Sequence, residues 1–313
     1  MLKMRKPRLW LPLLATLMVL SLATIACDAA GGTGTPATQP VVSEDGNDLQ
    51  ALLATGVLRT GTQRIAFVLH SSKALIEVKE VKVSSYYAPN GNVAEPPFTV
   101  TQATYYQWPY GTRGNYVTEL GFDRAGSWML DIEVIIEDGT NNHVFLPLTI
   151  AETSPVVDIG QAAPHSRNKT LLDVDDIQQL TTAWTPDPEL YLNTIERAVT
   201  SQTPALIVFA SPAYCTSPTC GPEVETLQGL KEQYKEVAFF IHVEIYDNPD
   251  EIGGDLNNGR ITPVVDEWGI SNVPHWKNES WAFITDRDGI VTARFEGYAT
   301  AQELEEALLA VLQ

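Results

Sequence analysis

Two cysteines stand five residues apart in Ala210-Ser-Pro-Ala-Tyr-Cys215-Thr-Ser-Pro-Thr-Cys220-Gly-Pro. They follow a wholly apolar stretch, Ala205-Leu-Ile-Val-Phe-Ala210, and precede a helical pattern from Pro222 whose apolar stripe is Val224, Leu227, Leu230 and Tyr234. A thiolate at a helix start is stabilised by unpaired N–H groups and the helix dipole. Such a thiolate attacks a partner disulfide, and a second thiol nearby resolves the mixed intermediate. The bland alternative is a closed staple. A loop this short stabilises by only about 2 kcal/mol in the chain-entropy model.

The elements around the pair change period along the chain. From about residue 50 to 152 the pattern is β. The strands expected are Arg64–Leu69, Leu75–Val83, Tyr116–Leu120, Trp128–Ile136 and Val144–Ile150, with turns at Asn90-Gly91 and Asp138-Gly139. Residues 48–54 read as a helix. Short strands with regular turns predict an all-β, immunoglobulin-like sandwich over 48–152. Residues 153–186 show no period and read as a linker. From 187 to 313 the order is helix, strand, helix, strand, helix, hairpin, helix, which is α/β. Asp187-Pro188 opens the first helix, with Leu192, Ile195 and Val199 on one face. Val237–Tyr246 is a second buried strand, residues 247–260 an acidic loop, and 262–268 a short helix. Trp281–Asp286 and Ile290–Phe295 form a hairpin around Asp288-Gly289. Thr300-Ala-Gln-Glu303 is a capping box for the last helix, which buries Leu304, Leu308 and Val311.

The chain begins with an export pattern. Lys3, Arg5, Lys6 and Arg8 precede an uncharged run from Leu9 to Ala26. Leu22-Ala-Thr-Ile-Ala-Cys27 resembles a bacterial lipobox, which implies a signal over 1–27 and lipidation at Cys27. Residues 28–47, rich in Gly, Thr and Pro, read as a tether. The expected location is the cell membrane, lipid-anchored, on the extracytoplasmic face, where thiols tend to be oxidised. The 313 residues carry 20 basic and 39 acidic side chains, net −19. Without residues 1–26, which hold four of the basic residues, 16 basic face 39 acidic ones, net about −23. Such a charge excludes nucleic acid as the main partner. An apolar fraction of 44% is enough for packed domains.

Strand, cysteine pair, helix, strand, helix, hairpin and helix together resemble the thioredoxin fold. More closely, residues 155–313 resemble extracytoplasmic bacterial thioredoxin-like proteins with Cys-x-x-x-x-Cys-Gly-Pro, preceded in such lipoproteins by a sandwich domain. The resemblance implies thiol–disulfide exchange on exported thiol or disulfide proteins, with Cys215 attacking and Cys220 resolving. Tyr214 stands where the family has Trp. Three departures stand out. Four residues separate the cysteines where thioredoxin has two. Phe209 replaces a buried acid. The position of the family's cis-proline falls on Ser280, beside Trp281, while Pro274 lies six residues upstream. Tyr214, Pro274, Ser280 and Trp281 are therefore the expected partner-binding residues.

The alternatives are a non-catalytic binding module with a structural disulfide, and a copper-binding assembly factor. Copper chaperones of this fold use two cysteines and a distant histidine, and soft thiolates suit Cu(I). The ligands here would be Cys215, Cys220 and His275. His242, inside an apolar strand, reads as a packed, hydrogen-bonded residue. Asp247, Asp250, Glu251 and Asp255 lack the alternation of a calcium loop and read as a solvated face. Tyr86, Tyr87, Tyr105, Tyr106, Tyr110 and Trp108 read as packing aromatics of the β region.

Overall fold

Alternating apolar residues organise the first half. A computed structural model describes residues 49–313 except 72–76, 79, 94, 110–113 and 136–140. The expected signal, Cys27, the tether, Tyr110 and the Asp138-Gly139 turn lie outside the described residues. Seven strands follow one another: β1 (Gln50–Leu53), β2 (Gly61–His70), β3 (Glu80–Tyr87), β4 (Thr99–Gln107), β5 (Gly114–Phe122), β6 (Gly126–Ile135) and β7 (Asn141–Ile150). All pair antiparallel in the order β1-β2-β5-β4-β3-β6-β7.

The antiparallel all-β expectation for this region is met, but the strands form one continuous sheet where two packed sheets were expected. β4 is the reason. Thr99–Ala103 pair with β3, and Thr104–Gln107 pair with β5. The sheet therefore turns a corner within β4 and curls around a single core. Ile65, Phe67, Tyr116, Leu120, Phe122, Trp128, Leu130 and Ile132 fill that core. The ends of the curl meet where Arg59 bridges Ala151, with Ala151 N–H donating to Leu58 O at 3.0 Å. Residues 48–54, expected to be helical, contribute strand β1. Leu49 and Ala51 are buried as β1 pairs with β2. Packing against a neighbouring strand overrides the helix preference of Leu, Ala and Gln in so short a piece.

The second half contains α1 (Ile195–Thr200), β8 (Ala205–Ala210), α2 (Cys220–Tyr234), β9 (Phe239–Glu244), α3 (Pro263–Glu267), β10 (Trp281–Thr285), β11 (Val291–Glu296) and α4 (Ala301–Leu312). The four strands lie in the order β11-β10-β8-β9. β8 and β9 are parallel, while β10 is antiparallel to both β8 and β11. Every residue of β8 is buried, because the sheet is covered on both faces. Ile207 and Phe209 face α1 and α3, while Leu206, Val208 and Ala210 face α2 and α4. Each fully buried side chain of this kind contributes about 1.5–3 kcal/mol. Asp286 Oδ1 accepts from Asp288 N–H and Ile290 N–H, and Gly289 takes the positive φ (73°) that closes the hairpin. Thr300 and Glu303 form the expected capping box.

Residues 153–186 are not a free linker. Val156 and Ala163 enter one core of the small sheet and Leu180 the other. Gly160 N–H donates to Val291 O and Ala163 N–H to Gly289 O. The segment shows no period because turns and side-chain bonds hold it, not a regular ladder. Leu192 is exposed, so the first helical face is shorter than expected and begins at Ile195. The two sheets meet through Asp158, which pairs with Arg59 and Arg294, and through Glu303, 2.8 Å from Arg64 Nε.

Candidate active site

β8 delivers the chain to the site and α2 takes it away. At the end of β8, Ser211 O accepts from Tyr214 N–H and Cys215 N–H, both at 3.0 Å, making a tight turn. Cys215 and Cys220 form a disulfide with Cα atoms 5.9 Å apart. Cys220 is the first residue of α2 and fully buried. Cys215 lies five residues ahead of the helix and is half-buried. The helix N-terminus therefore acts on Cys220, whereas the expectation gave that stabilisation to Cys215. The four-residue spacing is the cause, since it moves the first cysteine off the helical turn. Cys215 is the more accessible of the two.

A second loop faces the disulfide. Asn278 O lies 3.6 Å from Cys220 Sγ, and Glu279 Oε2 lies 3.9 Å from Cys215 Sγ. Ser217 N–H donates to Glu279 Oε1 at 3.1 Å, and the Ser217 hydroxyl to Oε2 at 2.5 Å. Thr216 Oγ1 donates to Lys277 O at 2.6 Å. Trp276 Nε1–H donates to Glu279 O at 3.0 Å. His275 and Asn278 both take positive φ (60°), a strained conformation for residues other than glycine. Asn278 Nδ2 anchors one of these turns on Tyr246 OH.

The expected partner-binding residues separate. Tyr214 packs edge-on against Tyr246 at 5.9 Å within a small cluster that includes Ile252 and Trp276, and so braces the cysteine loop. Pro274 is exposed at the start of the facing loop, and no cis peptide bond occurs among the described residues. Ser280 is fully buried. Trp281 is buried on the opposite face of the sheet, stacked on Phe283 at 5.9 Å, and so points away from the disulfide. Strand alternation explains this: Ala282 and Ile284, not Trp281, share the disulfide's face. Two of the expected copper ligands, Cys215 and Cys220, stand in the oxidised form here. Both sulfurs are tied in one bond, while Cu(I) binding needs thiolates. His275 is exposed.

Buried polar groups lie beneath the loop. Glu244, which ends β9 beside Ala210, accepts from Thr182 N–H and Oγ1, both at 2.8 Å. Thr182 Oγ1 also accepts from Ala213 N–H, two residues before Cys215. Burial pushes the Glu244 carboxyl up to about 7, against the hydrogen bonds from Thr182. Burial likewise lifts Glu223, one turn after Cys220, to about 8, although Ala299 N–H donates to it. His242 is packed as expected, 2.7 Å from Tyr191 OH and 3.1 Å from Ala210 O, and burial lowers it to about 4.

Of the acidic residues, Asp247 pairs with Lys169 and Glu251 with Arg260. Among the described residues, Asp187, Glu189 and Glu232 gather closely enough for a metal, but the Lys231 ammonium already sits among them. Tyr87 and Tyr105 pack against the β core, as expected of packing aromatics.

The reading of the residues alone missed Glu279, Ser217, Glu244 and Thr182. Lys277-Asn-Glu279-Ser carries no motif, and its contact with Ser217 spans 62 positions. Glu244 shows only as the polar end of an apolar strand.

No family model matches the chain, and no curated protein matches it. Among solved structures, a thiol:disulfide interchange protein, a thioredoxin family protein from Chlorobium tepidum TLS, aligns with 47% of this chain and 99% of its own, at 9% identity and a TM-score of 0.31.

Proposed function

We propose that this chain is a thioredoxin-like thiol–disulfide exchange protein acting on exported thiol or disulfide proteins. In this reading Cys27 tethers it by lipid to the extracytoplasmic face of the cell membrane, and the β region is an immunoglobulin-like partner domain. The observation that carries the reading is the asymmetry of the Cys215–Cys220 pair: one cysteine is half-buried on a braced loop, and the other is fully buried at the start of α2. An incoming thiolate attacks Cys215 Sγ, the S–S bond breaks, and the electron pair leaves on Cys220 Sγ. The N–H groups of the first turn of α2 stabilise that thiolate. A staple would need neither the accessibility nor the helix start.

The test is the reduction potential of the pair, by thiol trapping in glutathione buffers with copper excluded. A value above roughly −250 mV marks an exchangeable bond, and one below about −300 mV marks a staple and overturns the reading. Cys215→Ser should abolish turnover of a disulfide substrate. Retained turnover would assign the activity elsewhere.

A further inference from the structure

We propose that Glu279 makes the Cys215–Cys220 bond selective for thiols that carry positive charge beside their sulfur. This deepens the exchange reading and rests on it. With Cys220 fully buried and Cys215 half-buried, Cys215 is the more accessible residue of the pair. The carboxylate 3.9 Å from that sulfur is held in place from several sides. Ser217 binds both of its oxygens, Trp276 binds its backbone carbonyl, and the adjoining Ser280 is fully buried. The Ser217 hydroxyl is itself 2.5 Å from Thr219 Oγ1, so the latch is tied to the residue just before α2. Glu279 therefore cannot swing aside without breaking these bonds.

Any thiolate approaching Cys215 brings a negative charge toward the carboxylate, and Coulomb repulsion at such distances is large where water is partly excluded. A cationic group next to the incoming sulfur offsets that repulsion, while a second anionic group adds to it. The matching partner is a cysteine flanked by lysine or arginine. The chain's net charge of −19 acts in the same direction at longer range.

The chemistry balances as follows. The first thiolate forms a mixed disulfide with Cys215 and displaces Cys220 as a thiolate, which takes a proton from water. A second thiolate attacks the partner's sulfur in the mixed disulfide, releasing the partner disulfide and the Cys215 thiolate, which is then protonated. Two thiols are oxidised, and the protein gains two electrons and two protons.

The test compares reduction of the disulfide by cysteamine, a cation, and by 3-mercaptopropionate, a dianion once its thiol ionises. The rate ratio is measured in the wild-type protein, in Glu279→Gln, and in Glu236→Gln, which removes one charge from an exposed position in the turn after α2. Comparing one ratio across variants cancels the intrinsic reactivity of each thiol. The expected result is a ratio favouring cysteamine that falls about fivefold or more in Glu279→Gln. It should stay within twofold in Glu236→Gln, and shrink in wild type at 1 M salt. A ratio unchanged in Glu279→Gln, or shifted as far by Glu236→Gln, overturns the proposal while leaving exchange intact. A wild-type disulfide that neither thiol reduces overturns the exchange reading, and this proposal with it.

Discussion

Trp128 in the seven-stranded sheet and Glu244 in the four-stranded one are both buried, yet they stand for different ways of filling a core. Trp128 is ringed by Tyr87, Phe98 and Phe122, with centroids 5.1–5.9 Å away. The buried polar residues described in that region, Thr55, Gln63, Ser84, Ser85, Asn115 and Thr118, are all neutral. The four-stranded region buries Glu223, Lys231, His242 and Glu244. Burying ionisable groups costs stability unless they are paired or neutral. The region bearing the disulfide accepts that cost for two acids, a lysine and a histidine, whereas the curled sheet buries among its described residues Tyr116, which stays neutral because burial pushes its hydroxyl up to about 12. Perturbed titratable groups tend to gather at working sites, which is the lesson of the contrast.

Three measurements would break or sharpen this contrast. The largest effect is expected in the apolar core, where Trp128→Ala should cost about 3–5 kcal/mol by urea unfolding. A cost below about 1 kcal/mol would mean that this core is loosely packed and the contrast false.

The next effect is a pH tilt confined to the second region. Below pH 4.5 Glu244 is protonated whether folded or not. Between 4.5 and about 7 the unfolded chain loses that proton and the folded one keeps it, so stability falls as pH rises. Glu223 acts in the same sense up to about 8. His242 acts in reverse: between 6.5 and about 4 the unfolded chain takes a proton that the folded one refuses, so stability falls as pH drops. Glu244→Gln should therefore remove part of the fall across pH 4.5–7, and His242→Gln should steepen it across pH 4–6.5. Each change is at most about 1.4 kcal/mol per pH unit. Parallel stability–pH curves for wild type and both variants would refute the assignment.

The smallest effect is at the surface. Arg167 and Glu196 form an exposed two-pronged ion pair, with oxygens 2.8 and 3.2 Å from the guanidinium nitrogens. Arg167→Ala should leave the unfolding midpoint unchanged. A measurable loss would show that surface charge, not only buried charge, supports this half.

The strands that alternate cleanly, such as Trp128–Ile135, were legible because burial alternates with them. β4 was not. Its sequence, Thr-Val-Thr-Gln-Ala-Thr-Tyr-Tyr-Gln, has no fully buried position, so no apolar period marks it. β1 was misread because four residues cannot reveal a period. At the site, the cysteines announced themselves by type and place. Glu279 did not, because its role exists only when loops 62 positions apart come together. The burial of Trp281 away from the disulfide depended on strand phase, which counting from Gly289 does not supply.

The bridge between Arg59 and Ala151 has a consequence for how the curled sheet behaves among other chains. An open sheet presents outer strands with unpaired N–H and C=O groups, which other extended chains can extend into aggregates. Here Thr60 N–H donates to Ala151 O and Ala151 N–H to Leu58 O, so the backbone leading into β2 closes onto the end of β7. At this corner the seam satisfies backbone groups of residues 58–60 and 151 that would otherwise be open to an added strand.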